Sequence, residues 1–258
     1  KPLKPSSQRA APLAQSLKSS GANSMTDNLV SETPAREEKV IPLTGMKGMI
    51  AKKMVESLTT TAQLTHNASC DVTALLNRKK ELANNGIKVS FEDLIVDAVI
   101  EAIKKHPGIN GYADDKQIEV KPFMHIAVAV ALEGDLLMAP AILNADELPI
   151  ADRAVARKDV IARAKTNKLN VTEMTKGTFT ISNLGLSRVR HFTPIVNKPQ
   201  IAILGLGEVR KQYWECENGE LEVRPIMGLS LSFDHRAING GPAADFLTDL
   251  CKIIENNS

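Results

Sequence analysis

The segment FEDLIVDAVIEAIKK, Phe91 to Lys105, constrains the fold more than any other stretch of this chain. It is apolar around much of its circumference, and such a helix is stable in water only when other elements cover it. Ser90, followed three residues later by Asp93, provides a start signal, and His106, Pro107 and Gly108 provide the stop. The rest of the chain must therefore build a core around a deeply buried helix. No aromatic side chain occurs before Phe91. Anything packed before that residue must use Leu, Ile, Val, Met and Ala.

Upstream, Met46, Met49, Ile50 and Met54 recur at helical spacing with Lys47, Lys52 and Lys53 on other faces, which predicts a short amphipathic helix. Asp71 is positioned to cap a second helix through Leu75, Leu76 and Leu82 to Asn85, ended by Gly86. Downstream lie the strand-like runs IEVKP, HIAVAVAL and DLLMAPAIL, the last two joined by a turn at Glu133, Gly134 and Asp135. A charged amphipathic helix is expected from Ile150 to Lys165. GTFTISNLG then reads as a strand ending in a glycine turn, PQIAILGLGEV and PIMGLSLSFDH read as long central strands, and GPAADFLTDLCKIIEN reads as a closing helix. Helices early and late with strands between them predict an α+β sandwich.

Residues 1 to 40 are rich in Pro, Ser and Ala without a sustained apolar period, too little to offset the entropy of ordering them. They read as a flexible linker preceding one domain, residues 41 to 258. A basic, acid-poor start also suits an organellar transit peptide, but the scattered prolines favour the linker. Through Lys39 there are six basic and four acidic residues, so the net charge of +2 lies entirely in this segment and the rest is formally neutral. A formally neutral domain argues against a nucleic-acid binder, which needs a dense excess of cations. The longest clean apolar run, Ile126 to Leu132, is far too short for a membrane helix. Cys70, Cys216 and Cys251 are too dispersed for a disulfide framework or a zinc motif, which fits a reducing compartment. No HExxH, P-loop or GxGxxG cluster is present.

The candidate chemistry lies in Ser232 to Gly241, SFDHRAINGG, where an apolar strand runs into Asp234, His235 and Arg236 and then reaches Asn239 and Gly240 at a helix start. A strand-end histidine beside charged groups can take and return a proton near neutrality. Ser182, at the end of the TFTIS run, can donate a hydrogen bond to developing negative charge; it lacks the GxSxG setting of a nucleophile. His66, His125 and His191 read as packing or hydrogen-bonding residues, and Lys52 and Lys53 as a solvated helix face.

His235, Asn239 and Gly240 form HxxxNG, close to the HxxxDG signature of the dihydrolipoamide acyltransferases and chloramphenicol acetyltransferase. Together with GMKGMIAKKMVES, TFTISNLG and HFTPIVNKPQIAILGLGEV, the string DHRAING resembles the catalytic domain of the dihydrolipoamide acyltransferases, the core subunits of 2-oxo acid dehydrogenase complexes, from about Ile41 onward. The resemblance implies a two-layer sandwich with a central mixed sheet covered by helices, as in chloramphenicol acetyltransferase, and a trimer assembled into a 24- or 60-subunit core. It implies acyl transfer, with acetyl the leading choice, between a dihydrolipoyl thioester and coenzyme A. His235 would be the general base, Ser182 the donor to the oxyanion from a neighbouring subunit, and Asn239 an orienting residue where Asp is usual. Asp234, Arg236 and Gly240 would support the site.

Coenzyme A would be a substrate, the lipoyl group would arrive on a domain not visible in this chain, and no metal is implied. The implied partners are that lipoyl domain and the decarboxylase and dihydrolipoamide dehydrogenase subunits, with neither nucleic acid nor membrane. The implied location is a bacterial cytoplasm, or a mitochondrial matrix in a eukaryote. The linker-like start makes the chain read as the core of a longer protein or as a naturally short relative. Gly134 and Asp135, and Leu186 to Arg190, depart from the family pattern. Two alternatives remain: a free O-acetyltransferase of the chloramphenicol type acting on a small alcohol, and a non-catalytic scaffold subunit of the complex core.

Overall fold

The computed structural model describes residues 38–134, 136–216 and 218–256. The expected linker falls almost entirely outside the described residues, as does Asp135.

In chain order the elements are α1 (Gly45–Thr60), β1 (Gln63–Asp71), α2 (Thr73–Asn84), α3 (Phe91–Lys105), β2 (Gly111–Ala113), β3 (Ile118–Val120), β4 (Ile126–Val128), β5 (Val130–Leu132), β6 (Leu136–Met138), β7 (Ala141–Ile142), α4 (Ile150–Lys165), α5 (Val171–Thr175), β8 (Phe179–Asn183), β9 (Ala202–Glu215), β10 (Leu221–Asp234) and α6 (Gly240–Glu255). A six-stranded sheet in the order β1-β10-β9-β8-β4-β7 forms the centre. It is mixed: β8 runs parallel to β4 and β9, and the other pairings are antiparallel. The expected α+β architecture with a mixed sheet and covering helices is therefore the observed one. Two short hairpin-like pairs, β2 with β3 and β5 with β6, stand beside it.

Strand alternation gives the sheet two different faces. On one face Leu229, Leu231 and Phe233 of β10, Leu204 and Leu206 of β9, and Phe179 and Ile181 of β8 join the apolar faces of α3 and α6 in one core. The opposite face carries hydroxyls. Thr65 and Ser232 are hydrogen bonded at 2.7 Å, Thr180 donates to Gln200 Oε1 at 2.5 Å, and Ser230 Oγ accepts from the Phe192 N–H at 3.3 Å. The segment Val189–Phe192 presses so closely on this face that a Cβ at Gly207 would stand 1.9 Å from the Arg190 carbonyl oxygen, and one at Gly228 2.0 Å from it. Only glycine fits there, which accounts for the glycines that interrupt the two longest strands. Gly228 also lies at the register shift between Met227 and Leu229.

Helix α3 has the expected bounds and burial. Ser90 Oγ accepts from the Asp93 N–H at 3.1 Å, and the Asp93 carboxylate accepts from the Ser90 N–H at 2.7 Å, closing a capping box. Several sequence expectations need correction. QLTHNASCD forms β1, an edge strand that sequence reading missed because it pairs on one side only and buries Cys70 alone. Helix α1 is 16 residues long rather than short, and Met49, Val55 and Leu58 are exposed on it, so its apolar residues do not pack into the core described. Val72 rather than Asp71 occupies the cap position of α2, although the Asp71 carboxylate still accepts from the Thr73 N–H at 2.8 Å. HIAVAVAL and DLLMAPAIL each break into two short strands. Neither α5 nor β2 was foreseen. Among the described residues no helix is long and apolar enough to cross a membrane.

Candidate active site

The last residues of β10 place the candidate base. Phe233 is buried on the helix side, Asp234 turns to the other side and is 1% exposed, and His235 emerges at the surface just beyond the strand. The backbone at His235 is fixed because its N–H donates to the Ala62 carbonyl at 2.8 Å. Asp234 organises the corner. Its carboxylate accepts from the Ala62 N–H at 3.2 Å, from the Arg236 N–H at 3.1 Å, and from Arg236 Nε and Nη2 at 3.1 and 2.8 Å. Burial alone would push the Asp234 carboxyl up, but these hydrogen bonds and the guanidinium charge outweigh it and hold the group below the usual carboxylate range. The same contacts raise Arg236. Arg236 also reaches the exposed Asp115 at 3.1 Å, so it ties the strand end to the loop before β3. Arg236 is thus paired with two carboxylates, one buried and one exposed.

Asn239 is the N-cap residue of α6, with extended backbone and no side-chain capping bond, and its side chain is exposed. Gly240 begins the helix beside His235. The site a Cβ on Gly240 would occupy is 3.9 Å from His235 Nε2 and 3.8 Å from both Cε1 and Nε2 of His66. Sequence reading treated His66 as packing, since nothing local signals its closeness to His235.

Ser182 is not part of this corner within one chain. It pairs in register with Gly205, which pairs with Ser230, and His235 lies five residues further along the β10 direction. At about 3.3 Å per residue along a strand and about 4.8 Å between strands, the separation is about 20 Å. Alternation from the hydroxyl-facing Thr180 also places Ser182 on the face opposite Phe233. The structure therefore brings His235, Asp234, Arg236, Asn239 and Gly240 together and leaves Ser182 apart. The two groups can serve one reaction only across two copies of the chain.

The residue after Ser182 is held in place by charges. Asn183 Nδ2 donates to Glu92 Oε1 at 3.2 Å, and Glu92 Oε2 accepts from Arg157 Nη1 at 2.8 Å. Arg157 Nε binds Asp93 at 2.5 Å. Burial would raise Asp93, but Arg157 and the Ser90 bonds keep it below the usual carboxylate range. Sequence reading missed this network because Arg157 looks like an ordinary solvated position of a charged helix.

The remaining candidates occupy ordinary structural settings. His125 Nδ1 accepts from the Asn144 N–H at 3.0 Å, and burial lowers its pKa. His191 Nδ1 lies 3.3 Å from the Leu229 carbonyl. Lys52 and Lys53 are exposed on α1. Among the described residues no group of three or more His, Cys, Asp or Glu side chains could hold a metal ion.

Comparison with known proteins bears on the family and the fold. The family described as 2-oxoacid dehydrogenases acyltransferase (catalytic domain) matches residues 35–258. The dihydrolipoyllysine-residue acetyltransferase component of the acetoin cleaving system of Bacillus subtilis is 37% identical over 232 residues, which are 88% of this chain and 57% of that protein. The chain thus spans little more than half the length of that relative. A solved structure of Azotobacter vinelandii dihydrolipoamide acetyltransferase, studied for the roles of one serine, one histidine and one asparagine in catalysis, superposes with a TM-score of 0.78 at 29% identity. That match covers 86% of this chain and 93% of the other. Chloramphenicol acetyltransferase, at 12% identity and a TM-score of 0.50 over 84% of this chain and 99% of its own, shares the fold. The chain belongs to the family of the 2-oxoacid dehydrogenase acyltransferases and carries its catalytic domain.

Proposed function

We propose that this chain transfers an acyl group, acetyl in the first instance, between a dihydrolipoyl thioester and coenzyme A, at a site completed by a neighbouring copy in a trimer. One observation carries the reading: an exposed imidazole fixed at a strand end by the Asp234–Arg236 corner, in a chain whose candidate oxyanion donor lies about 20 Å away on the opposite sheet face. A thiol with a pKa near 8.5 needs only modest help from a base, so an imidazole suffices.

In this reading His235 accepts the proton of the coenzyme A thiol as the sulfur attacks the thioester carbonyl. The Ser182 hydroxyl of the adjoining copy donates a hydrogen bond to the resulting oxyanion. Collapse breaks the bond to the dihydrolipoyl sulfur, which takes the proton back from the imidazolium. No acyl-enzyme forms. Asn239, four residues after the base, would orient it but, as an amide, cannot neutralise an imidazolium. Acetyl is favoured because the acetoin-system relative is named an acetyltransferase. The whole protein would work in a multienzyme core of 24 or 60 subunits, receiving the lipoyl group from a separate domain served by decarboxylase and dihydrolipoamide dehydrogenase subunits. Residues 1–40 would be a linker to the catalytic domain.

Acetyl transfer from acetyl-CoA to dihydrolipoamide is the test. His235→Ala should lower turnover on the order of a thousandfold, and Ser182→Ala on the order of a hundredfold. Co-assembly of the two inactive variants should restore part of the activity, because some mixed interfaces regain one intact serine and one intact histidine. Undiminished turnover in His235→Ala would overturn the mechanism, and a mixture no better than its parts would overturn the shared site.

A further inference from the structure

We propose that His66 is a second imidazole of the thiol-binding site, donating a hydrogen bond from Nε2 to the sulfur whose proton His235 removes. The proposal rests on the acyl-transfer reading and adds a residue to it.

His66 projects from β1 on the helix side of the sheet. Its neighbour Thr65 faces Ser232 on the hydroxyl side, and the His66 ring meets Phe233 edge-on at 5.0 Å. Phe233 in turn lies 6.0 Å from the His235 ring, so one buried aromatic holds both imidazoles. Above them is the first residue of α6. Because residue 240 is glycine, a gap with room for a methyl-sized group remains beside both rings. A Cβ there would stand 3.8 Å from His66 Nε2 and 3.9 Å from His235 Nε2. The two nitrogens are therefore separated by at most the sum of those distances, a span that one sulfur atom can bridge.

Hydrogen bonding sets the direction of donation. His66 Nδ1 is buried and has no partner among the described residues. A buried N–H without an acceptor is rarer and costlier than an unused lone pair, so the proton of the neutral ring belongs on Nε2. His66 then presents a donor to the gap where His235 needs to accept. A donor aimed at the thiol sulfur strengthens as negative charge grows on it, because a hydrogen bond to an ionised acceptor exceeds one to a neutral acceptor. Packing alone would be served equally well by an aliphatic side chain and would leave no nitrogen aimed at the base.

The test compares coenzyme A with its desulfo analogue, in which hydrogen replaces the thiol, on the assembled protein. Wild type should bind coenzyme A more tightly than the analogue. His66→Leu should abolish that preference and lower turnover about tenfold or more, the scale of one hydrogen bond to a charged group. His66→Gln, which keeps an Nε2 donor, should restore most of both. Gly240→Ala provides a second probe should His66→Leu fail to assemble. Its methyl meets no atom closer than 3.8 Å, yet it fills the gap, so it should erase the preference without lowering the thermal midpoint. A wild type without thiol preference, or an assembled His66→Leu or Gly240→Ala protein that keeps preference and turnover, overturns the proposal. A wild type that transfers no acyl group overturns the acyl-transfer reading instead, so the two failures are distinguishable.

Discussion

Ser182 and His235 both lie at the ends of strands of one sheet, but they are anchored in opposite ways. Next to Ser182, Asn183 is bound to Glu92, and Glu92 to Arg157, which is buried against Asp93 with side chains 9% and 1% exposed. That chain of contacts joins three elements far apart in sequence, β8, α3 and α4. Next to His235, Asp234 is equally buried and is also tied to Ala62, but its cation is not enclosed: Arg236, two residues on, is 35% exposed, and its outer contact is to Asp115, which is 76% exposed. The arginine on the serine side is thus enclosed by the interior, at 9% exposure, and the one on the histidine side meets solvent, at 35%. Damage to the first should cost folding before chemistry, and damage to the second should cost chemistry before folding.

The largest effect on stability is expected at Arg157. Arg157→Ala leaves Asp93 buried without its cation, and breaking a buried pair in this way costs about 3–5 kcal/mol. Denaturant unfolding should show that loss, while turnover of the protein that remains folded falls less than tenfold. A stability loss within about 1 kcal/mol, the scale of a surface pair, would break the comparison by making both anchors superficial.

Arg236→Ala should behave in the reverse manner. Asp234 loses its cation as Asp93 does, but it keeps the N–H donors of Ala62 and of residue 236, water reaches the place of a guanidinium that is 35% exposed, and the lost contact to Asp115 is a surface pair. Stability should fall by about 1–2 kcal/mol, whereas turnover should fall about tenfold, the effect of a base displaced by a fraction of an ångström. Arg236→Lys should recover little, because a point charge cannot reproduce the forked contacts of Nε and Nη2. Equal losses at Arg157 and Arg236, measured by unfolding and by steady-state turnover, would remove the distinction between the two regions.

The same contrast explains what the sequence revealed. The bounds of α3 and α4 were legible because caps, stops and helical periodicity are local signals, and Ser90 with Asp93 displays its reciprocal bonding within four residues. The Asp234–Arg236 clamp was legible only in part: the resemblance implied that both residues support the site, and the structure shows that they pair with each other. Strand β1 was not legible, since an edge strand that buries only Cys70 shows no apolar alternation. Arg157 was not, because a buried arginine and a solvated one look alike until the partner helix is placed. The separation of Ser182 from His235 depends on the register of three strands, and the closeness of His66 to His235 on a contact across the sheet to α6, neither of which leaves a mark in local sequence.

The smallest effect separates the two anchors by acid. Both Asp93 and Asp234 are held below the usual carboxylate range, so each binds its proton less readily in the native protein than in the unfolded chain. Where the unfolded state binds more protons, stability rises with pH. The contribution of each carboxylate is therefore fully present above the unfolded value of about 3.9, and it is lost as pH falls through the lower folded value. Unfolding midpoints followed from pH 6 down to pH 3 should hold until near the unfolded value and then decline. Arg157→Ala should flatten that decline by releasing Asp93, and Arg236→Ala should flatten it less, because the Arg236 guanidinium is 35% exposed against 9% for Arg157 and its attraction is partly screened by solvent. Equal flattening in the two variants would mean that the guanidinium is the main support of Asp234 as well, and the surface clamp would then be as dependent on its arginine as the buried one.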